Sequence, residues 1–223
     1  MKWSMLILLF IILVGCEENE PAITKIEEPP AEESTIEEVP EVTFTEEDKI
    51  LEFLINDSVI SIDANKIGIL NAYLNTVKNT SIAIENMELN QISLNDQNEI
   101  YVLEFSCFEN KCSYLLLNQE VNHESYLLDD LTKLNSFIVS PDGVYTLFTL
   151  QNSKETYFKI FNNQTWSTVP FTQSFFLQPS TIISSSKWLD NETAQLNVQY
   201  TNDEELQALE MEKELLINLT NEE

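Results

Sequence analysis

Few residues in this 223-residue chain are of a kind that reacts. Two cysteines, Cys107 and Cys112, flank the turn Phe108-Glu109-Asn110-Lys111 between two strand-like runs. In a four-residue hairpin loop the flanking positions face one another, with Cα atoms roughly 4.5–5.5 Å apart. That separation suits a disulfide. Closing a loop of about six residues is worth on the order of 2 kcal/mol on the chain-entropy estimate. Two other arrangements compete with it: a pair of free thiols, and a zinc site with His123, the sole histidine, as third ligand. The zinc site lacks a fourth ligand at a recognisable spacing. A Cys107–Cys112 disulfide is therefore expected, with no metal and no cofactor. His123 lies in the polar stretch 119–125 and reads as a solvated loop side chain rather than a general base.

Other patterns carry less. Ser184-Ser185-Ser186-Lys187 has the Ser-x-x-Lys spacing of one class of serine nucleophile, without the Ser-Asp-Asn and Lys-Thr-Gly companions that this chemistry uses. Neither a Gly-x-Ser-x-Gly elbow nor a His-Glu-x-x-His helix occurs. Neighbouring acids such as Asp129-Asp130 and Asp203-Glu204-Glu205 supply the raw material of a two-carboxylate hydrolase. With 25 acids from residue 49 onward, such neighbours arise without purpose. All 11 basic residues are lysines, so no guanidinium fork is available for bidentate anion recognition. Only Gly15, Gly68 and Gly143 occur, too few for a glycine-rich phosphate cradle. The net charge of −27 leaves no basic footprint for nucleic acid. These exclusions favour a non-catalytic binding or assembly module that holds a protein or a cell-envelope polymer. An extracytoplasmic carboxylate-based hydrolase and an accessory binding subunit of a transporter are the alternatives. Trp166 and Trp188 read as packing between sheets, or else as partner contacts, and Phe171, Phe175 and Phe176 lie in a Pro-bounded connection.

The N-terminus supplies an address. Lys2 precedes an apolar run from Met5 to Val14, followed by Gly15, Cys16 and an abrupt acidic stretch. Ten apolar residues cannot span a hydrocarbon core, which needs about 20 in a helix, but they fit the core of a secretory signal. Leu13-Val14-Gly15-Cys16 resembles the lipobox of bacterial lipoproteins. The resemblance implies cleavage before Cys16, a diacylglycerol on its thiol, and a mature protein anchored on the extracytoplasmic face of a cell membrane. Two acyl chains meet the requirement for stable anchoring that one chain does not. All-lysine, Asn-rich usage hints at an AT-rich genome and a low-GC Gram-positive source. Residues 17–48 hold 13 acids against Lys25, with four prolines interspersed. Such a segment reads as a disordered, self-repelling tether.

From residue 49 onward nine lysines face 25 acids, in a length that suits one domain or two small ones. A layout recurs every 46 to 48 residues between Asp96, Asp142 and Asp190: a polar turn, a strand-like run, a second turn and another apolar run. The runs 99–105 and 144–150 are apolar on both faces, as in strands covered on both sides, whereas Ala194, Leu196, Val198 and Tyr200 alternate strictly. In the middle unit Ser140-Pro141-Asp142-Gly143 is followed by Val144 and Tyr145. Residues 137–148 resemble the hairpin of TolB-like and related β-propeller repeats. The turn chemistry stands by itself, with Pro fixing φ, Asp bonding its own backbone and Gly accepting positive φ. Ile67, Leu70, Leu74 and Val77 give Ser61–Lys78 a helical spacing with Asp63 as N-cap, and Thr45–Asn56 reads as a second short helix. The expected protein is mainly β: a signal peptide (1–15), a tether (16–48), a helical or mixed lead-in (49–90) and a domain of three repeated, blade-like antiparallel sheets (91–223).

Overall fold

The computed structural model describes residues 22–26, 44–45, 49–92, 99–118, 125–153, 156–170, 181–200 and 211–219. The described residues are mainly β and form three antiparallel sheets, none of them closed. Cys16, the turn residue Asp96, His123, Phe171, Phe175, Phe176, the acids 203–205 and most of the tether lie outside the described residues.

The first sheet contains β1 (Ile23–Ile26), β2 (Phe44–Thr45), β3 (Ile50–Ile55) and β4 (Ser58–Asp63), in the order β1-β4-β3-β2. Asn56 and Asp57 join β3 to β4 with φ of 48° and 64°. Two consecutive left-handed residues are the tight connection whose twist matches paired strands, and Asn and Asp tolerate it. Leu51 and Phe53 of β3, with Ile60 and Ile62 of β4, alternate onto the core. This corrects the helix expected over Thr45–Asn56. Ile50, Leu51 and Leu54 have helical spacing, but Leu54 is 59% exposed, and the side chains that pack follow a period of two. The strands β1 and β2 fall inside the stretch read as a tether. Asp63 N donates to Ala22 O at 2.7 Å, and Lys25 Nζ pairs with Glu99 at 2.9 Å.

The helical spacing over Ser61–Lys78 gives a shorter helix, α1 (Gly68–Thr76), whose Leu70 and Leu74 are buried. Asp63 caps a separate 3-10 turn, Ala64–Lys66, by accepting from Asn65 N at 3.0 Å. A second helix, α2 (Thr80–Glu85), is capped by Asn79, which accepts from Ile82 N at 3.2 Å. Both helices fill the core between the first sheet and the next.

The second sheet is a seven-stranded meander of β5 (Glu88–Ile92), β6 (Ile100–Phe108), β7 (Lys111–Asn118), β8 (Tyr126–Val139), β9 (Tyr145–Gln151), β10 (Thr156–Asn162) and β11 (Ser167–Thr168). Strand β8 pairs with β7 through its first half and with β9 through its second. Between the halves Leu131 adopts φ of 50°, and the register shifts on either side. The sheet therefore folds at β8 into two leaves whose facing sides share one core. Ile100, Val102 and Leu116 from the first leaf meet Phe148, Leu150 and Phe161 from the second. The other side of the first leaf, through Tyr101, Leu103, Phe105, Leu115 and Leu117, packs on the first sheet and the helices.

The third sheet has β12 (Thr181–Trp188), β13 (Thr193–Tyr200) and β14 (Met211–Asn218) in that order. Ala194, Leu196, Val198 and Ile217 cover Leu147, Phe158 and Ile160 on the second leaf. Four layers thus enclose three cores. Three sheets were expected, but their make-up differs. The first two repeat units are the two leaves of one sheet, joined through β8, and a sheet of four strands draws on both the stretch read as a tether and the lead-in.

Candidate functional site at the cysteine hairpin

Cys107 and Cys112 form a disulfide across the end of the β6–β7 hairpin, with Cα atoms 4.1 Å apart. The hairpin reverses through Glu109 and Asn110, at φ of 49° and 63°, so its loop is two residues rather than four and Phe108 pairs with Lys111. Ser106, at φ of 54°, makes a bulge that turns Cys107 outward. Cys107 is exposed while Cys112 is 3% exposed, so the two sulfurs of one bond meet different surroundings. Phe108 at the tip is 69% exposed, and Leu131, next to the cross-strand partner of Cys112, is 55% exposed.

Among the described residues the nearest acid is Glu104. Its Oε1 lies 2.9 Å from Cys112 Sγ and 3.8 Å from Cys107 Sγ. Burial and then the Glu88 carboxylate push Glu104 above the usual carboxylate range. Glu88, Glu104, Tyr114 and Asp129 are successive partners across β5 to β8 and form one row on one face. Ligand atoms of Glu104, Cys107 and Cys112 lie within 4.8 Å of one another, but both sulfurs are tied in the disulfide. Glu104 was not singled out in the sequence. The available signal was a lone acid inside the apolar run 100–105, three residues before a cysteine.

The paired acids separate. Asp129 accepts from the Tyr157 hydroxyl at 2.6 Å and faces Lys159 Nζ at 2.8 Å, whereas Asp130 accepts from Ser113 Oγ. Burial acts to raise the Asp129 pKa. The Lys159 ammonium, the Tyr157 hydroxyl and the Asp130 amide together outweigh it and hold the group below its usual range. Asp129 and Asp130 therefore do not make a carboxylate dyad.

The repeat turns serve the fold. Asp142 accepts from Ser140 Oγ at 2.7 Å and Val144 N at 3.1 Å, while Gly143, at φ of 76°, donates its N–H to Ser140 O. Asn163 donates to Gly143 O at 2.9 Å and bonds Thr146, so a buried amide just past the end of β10 locks the turn. Asp190 accepts from Glu192 N at 2.8 Å and Thr193 N at 2.6 Å, and those bonds hold its carboxyl below the usual range. The two turns share one backbone contact to a later residue. Asn163 N bonds Val144 O in one, and Leu219 N bonds Glu192 O in the other.

Ser184 Oγ donates to Asn197 O, and Lys187 is exposed. Trp188 stacks on Tyr145 with centroids 6.3 Å apart and donates Nε1–H to Ile138 O at 3.2 Å. Trp166 meets Phe161 edge-on at 5.1 Å. Both tryptophans pack between elements. Among the described residues no helix is long and apolar enough to cross a membrane. Compared with known proteins, the chain matches no family model and no curated protein.

Proposed function

We propose that this chain is a lipid-anchored extracytoplasmic lipoprotein whose β domain is a non-catalytic binding or assembly module, built as an open stack of blade-like sheets. The observation that carries the reading is Leu13-Val14-Gly15-Cys16, placed where a ten-residue apolar run gives way to an acidic stretch. Diacylglycerol on Cys16 holds the protein in the membrane, and a protein or cell-envelope polymer is its partner. The Cys107–Cys112 disulfide supports export, because such bonds persist in oxidising compartments and are rare in the cytosol. The exposed Phe108 and Leu131 at one rim of the stack support a docking role, since the sheet faces between the layers are filled.

Metabolic labelling with a radioactive fatty acid tests the anchor. The wild-type chain is expected to take up label and fractionate with membranes. Cys16→Ser is expected to lose the label and to accumulate as precursor. Label retained on Cys16→Ser would overturn the reading.

A further inference from the structure

We propose that the β6–β7 rim is a thiol–disulfide exchange site, in which an external thiolate attacks Cys107 Sγ, Cys112 Sγ leaves, and Glu104 protonates the leaving sulfur. This goes beyond partner docking and does not depend on acylation of Cys16.

Three observations converge. The disulfide is asymmetric: Cys107 is exposed and Cys112 is buried, so an incoming nucleophile has access to only one sulfur. Exposed disulfides are the labile ones, and exchange rates depend on which sulfur is attacked and on how readily the other leaves. A disulfide sulfur carries no proton. The 2.9 Å approach of Glu104 Oε1 to Cys112 Sγ is therefore a hydrogen bond only when the carboxyl itself donates. Finally, Thr132, the cross-strand partner of Cys112, is 3% exposed and its hydroxyl has no hydrogen-bond partner among the described residues. A buried hydroxyl donor thus lies across the strand pair from the cysteine on whose sulfur negative charge appears.

Among the described residues, the titratable and charged groups facing Glu104 are Glu88 on β5, Tyr114 on β7 and, next along the row, Asp129 on β8. Burial and Glu88 favour the protonated carboxyl at Glu104. The first step forms a sulfur–sulfur bond between the external thiolate and Cys107. It breaks the Cys107–Cys112 bond, moves the Glu104 proton to Cys112 Sγ and leaves a carboxylate. With a dithiol co-reactant, its second thiolate then displaces Cys107 as thiolate. The co-reactant ends as a disulfide, this chain ends with two thiols, and solvent reprotonates Glu104 and Cys107. The chemistry fits a dithiol-bearing protein as partner, with Phe108 and Leu131 flanking the entry.

The test uses the oxidised full-length chain in detergent, with dithiothreitol for rates and glutathione for trapping. Rates are corrected for the thiolate fraction of the reductant at each pH. Glutathione is expected on Cys107, not on Cys112, by peptide mass spectrometry. Glu104→Gln is expected to slow reduction roughly 100-fold at neutral pH, the lower end of what one general acid contributes, and to flatten the corrected pH profile. Glu88→Gln removes a neighbouring negative charge and so lowers the Glu104 pKa. Its profile is expected to keep its shape and move to lower pH, a readout that a merely structural role would not produce. Adduct on Cys112, or equal corrected rates for wild type and Glu104→Gln, would overturn the proposal.

Discussion

The folded seven-stranded sheet and the three-stranded sheet at the end of the stack are both antiparallel, with strands paired in chain order. They differ in how their faces are used. In the two leaves both faces are covered: β6 sends Tyr101, Leu103 and Phe105 into one core and Ile100 and Val102 into the next. Among the described residues of β13, Ala194, Leu196 and Val198 reach a core, while on the other face Asn197 and Gln199 stay partly exposed and only Gln195 is buried. A layer covered on both sides has only its rims left for chemistry or contact. The cysteine hairpin is such a rim.

The comparison can be broken at several points. Leu116→Ala, in the core between the leaves, is expected to cost about 4 kcal/mol in equilibrium denaturation of the full chain. Leu196→Ala, on the covered face of the third sheet, is expected to cost about 3 kcal/mol, because a terminal layer relaxes more easily around a void. A larger loss at Leu196 than at Leu116 would invert the ranking of the layers. Asn163→Ala strips the Ser140–Tyr145 turn of its buried amide and leaves the Gly143 carbonyl without that donor. The expected loss is about 2 kcal/mol, with little change in the stability gap between the leaves and the third sheet.

A smaller effect sharpens the comparison through pH. Asp129 bridges the leaves, being on β8 and bound to Tyr157 and Lys159 on β10. Its folded pKa is depressed, so its contribution is present above the unfolded value of about 3.9 and is lost as pH falls through the folded one. The stability difference between wild type and Asp129→Asn, read from denaturant midpoints, is expected to shrink between pH 6 and pH 3. A difference independent of pH would remove the ionic role. Leu216→Ala, on the open face of the third sheet at 48% exposure, is expected to stay within about 0.5 kcal/mol of wild type. The same substitution thus separates a covered layer from an open one.

Much of this division was legible in the residues. Continuous apolar runs at 99–105 and 144–150 announced strands buried on both sides, and strict alternation at 193–200 announced a one-sided strand. The disulfide followed from two cysteines flanking one turn. What was illegible depended on contacts distant in sequence. Strand β8 carries Asp129, Asp130, Lys133, Asn135 and Ser136, so its polar residues conceal a 14-residue strand that serves two leaves. Strand β12 hides in Ser184-Ser185-Ser186, whose pairing with β13 comes from register rather than apolar content. The two strands from the acidic stretch are short and flanked by charge, and only the free edges of β4 and β3 make them strands. Glu104 matters through its distance to a sulfur, which no spacing rule supplies.

The pairing of β1 with β4 reaches back to the proposed anchor. Six residues separate Cys16 from Ile23, and a fully extended chain of that length spans only about 20 Å. An acylated Cys16 would therefore moor the domain hard against the headgroups on a short leash.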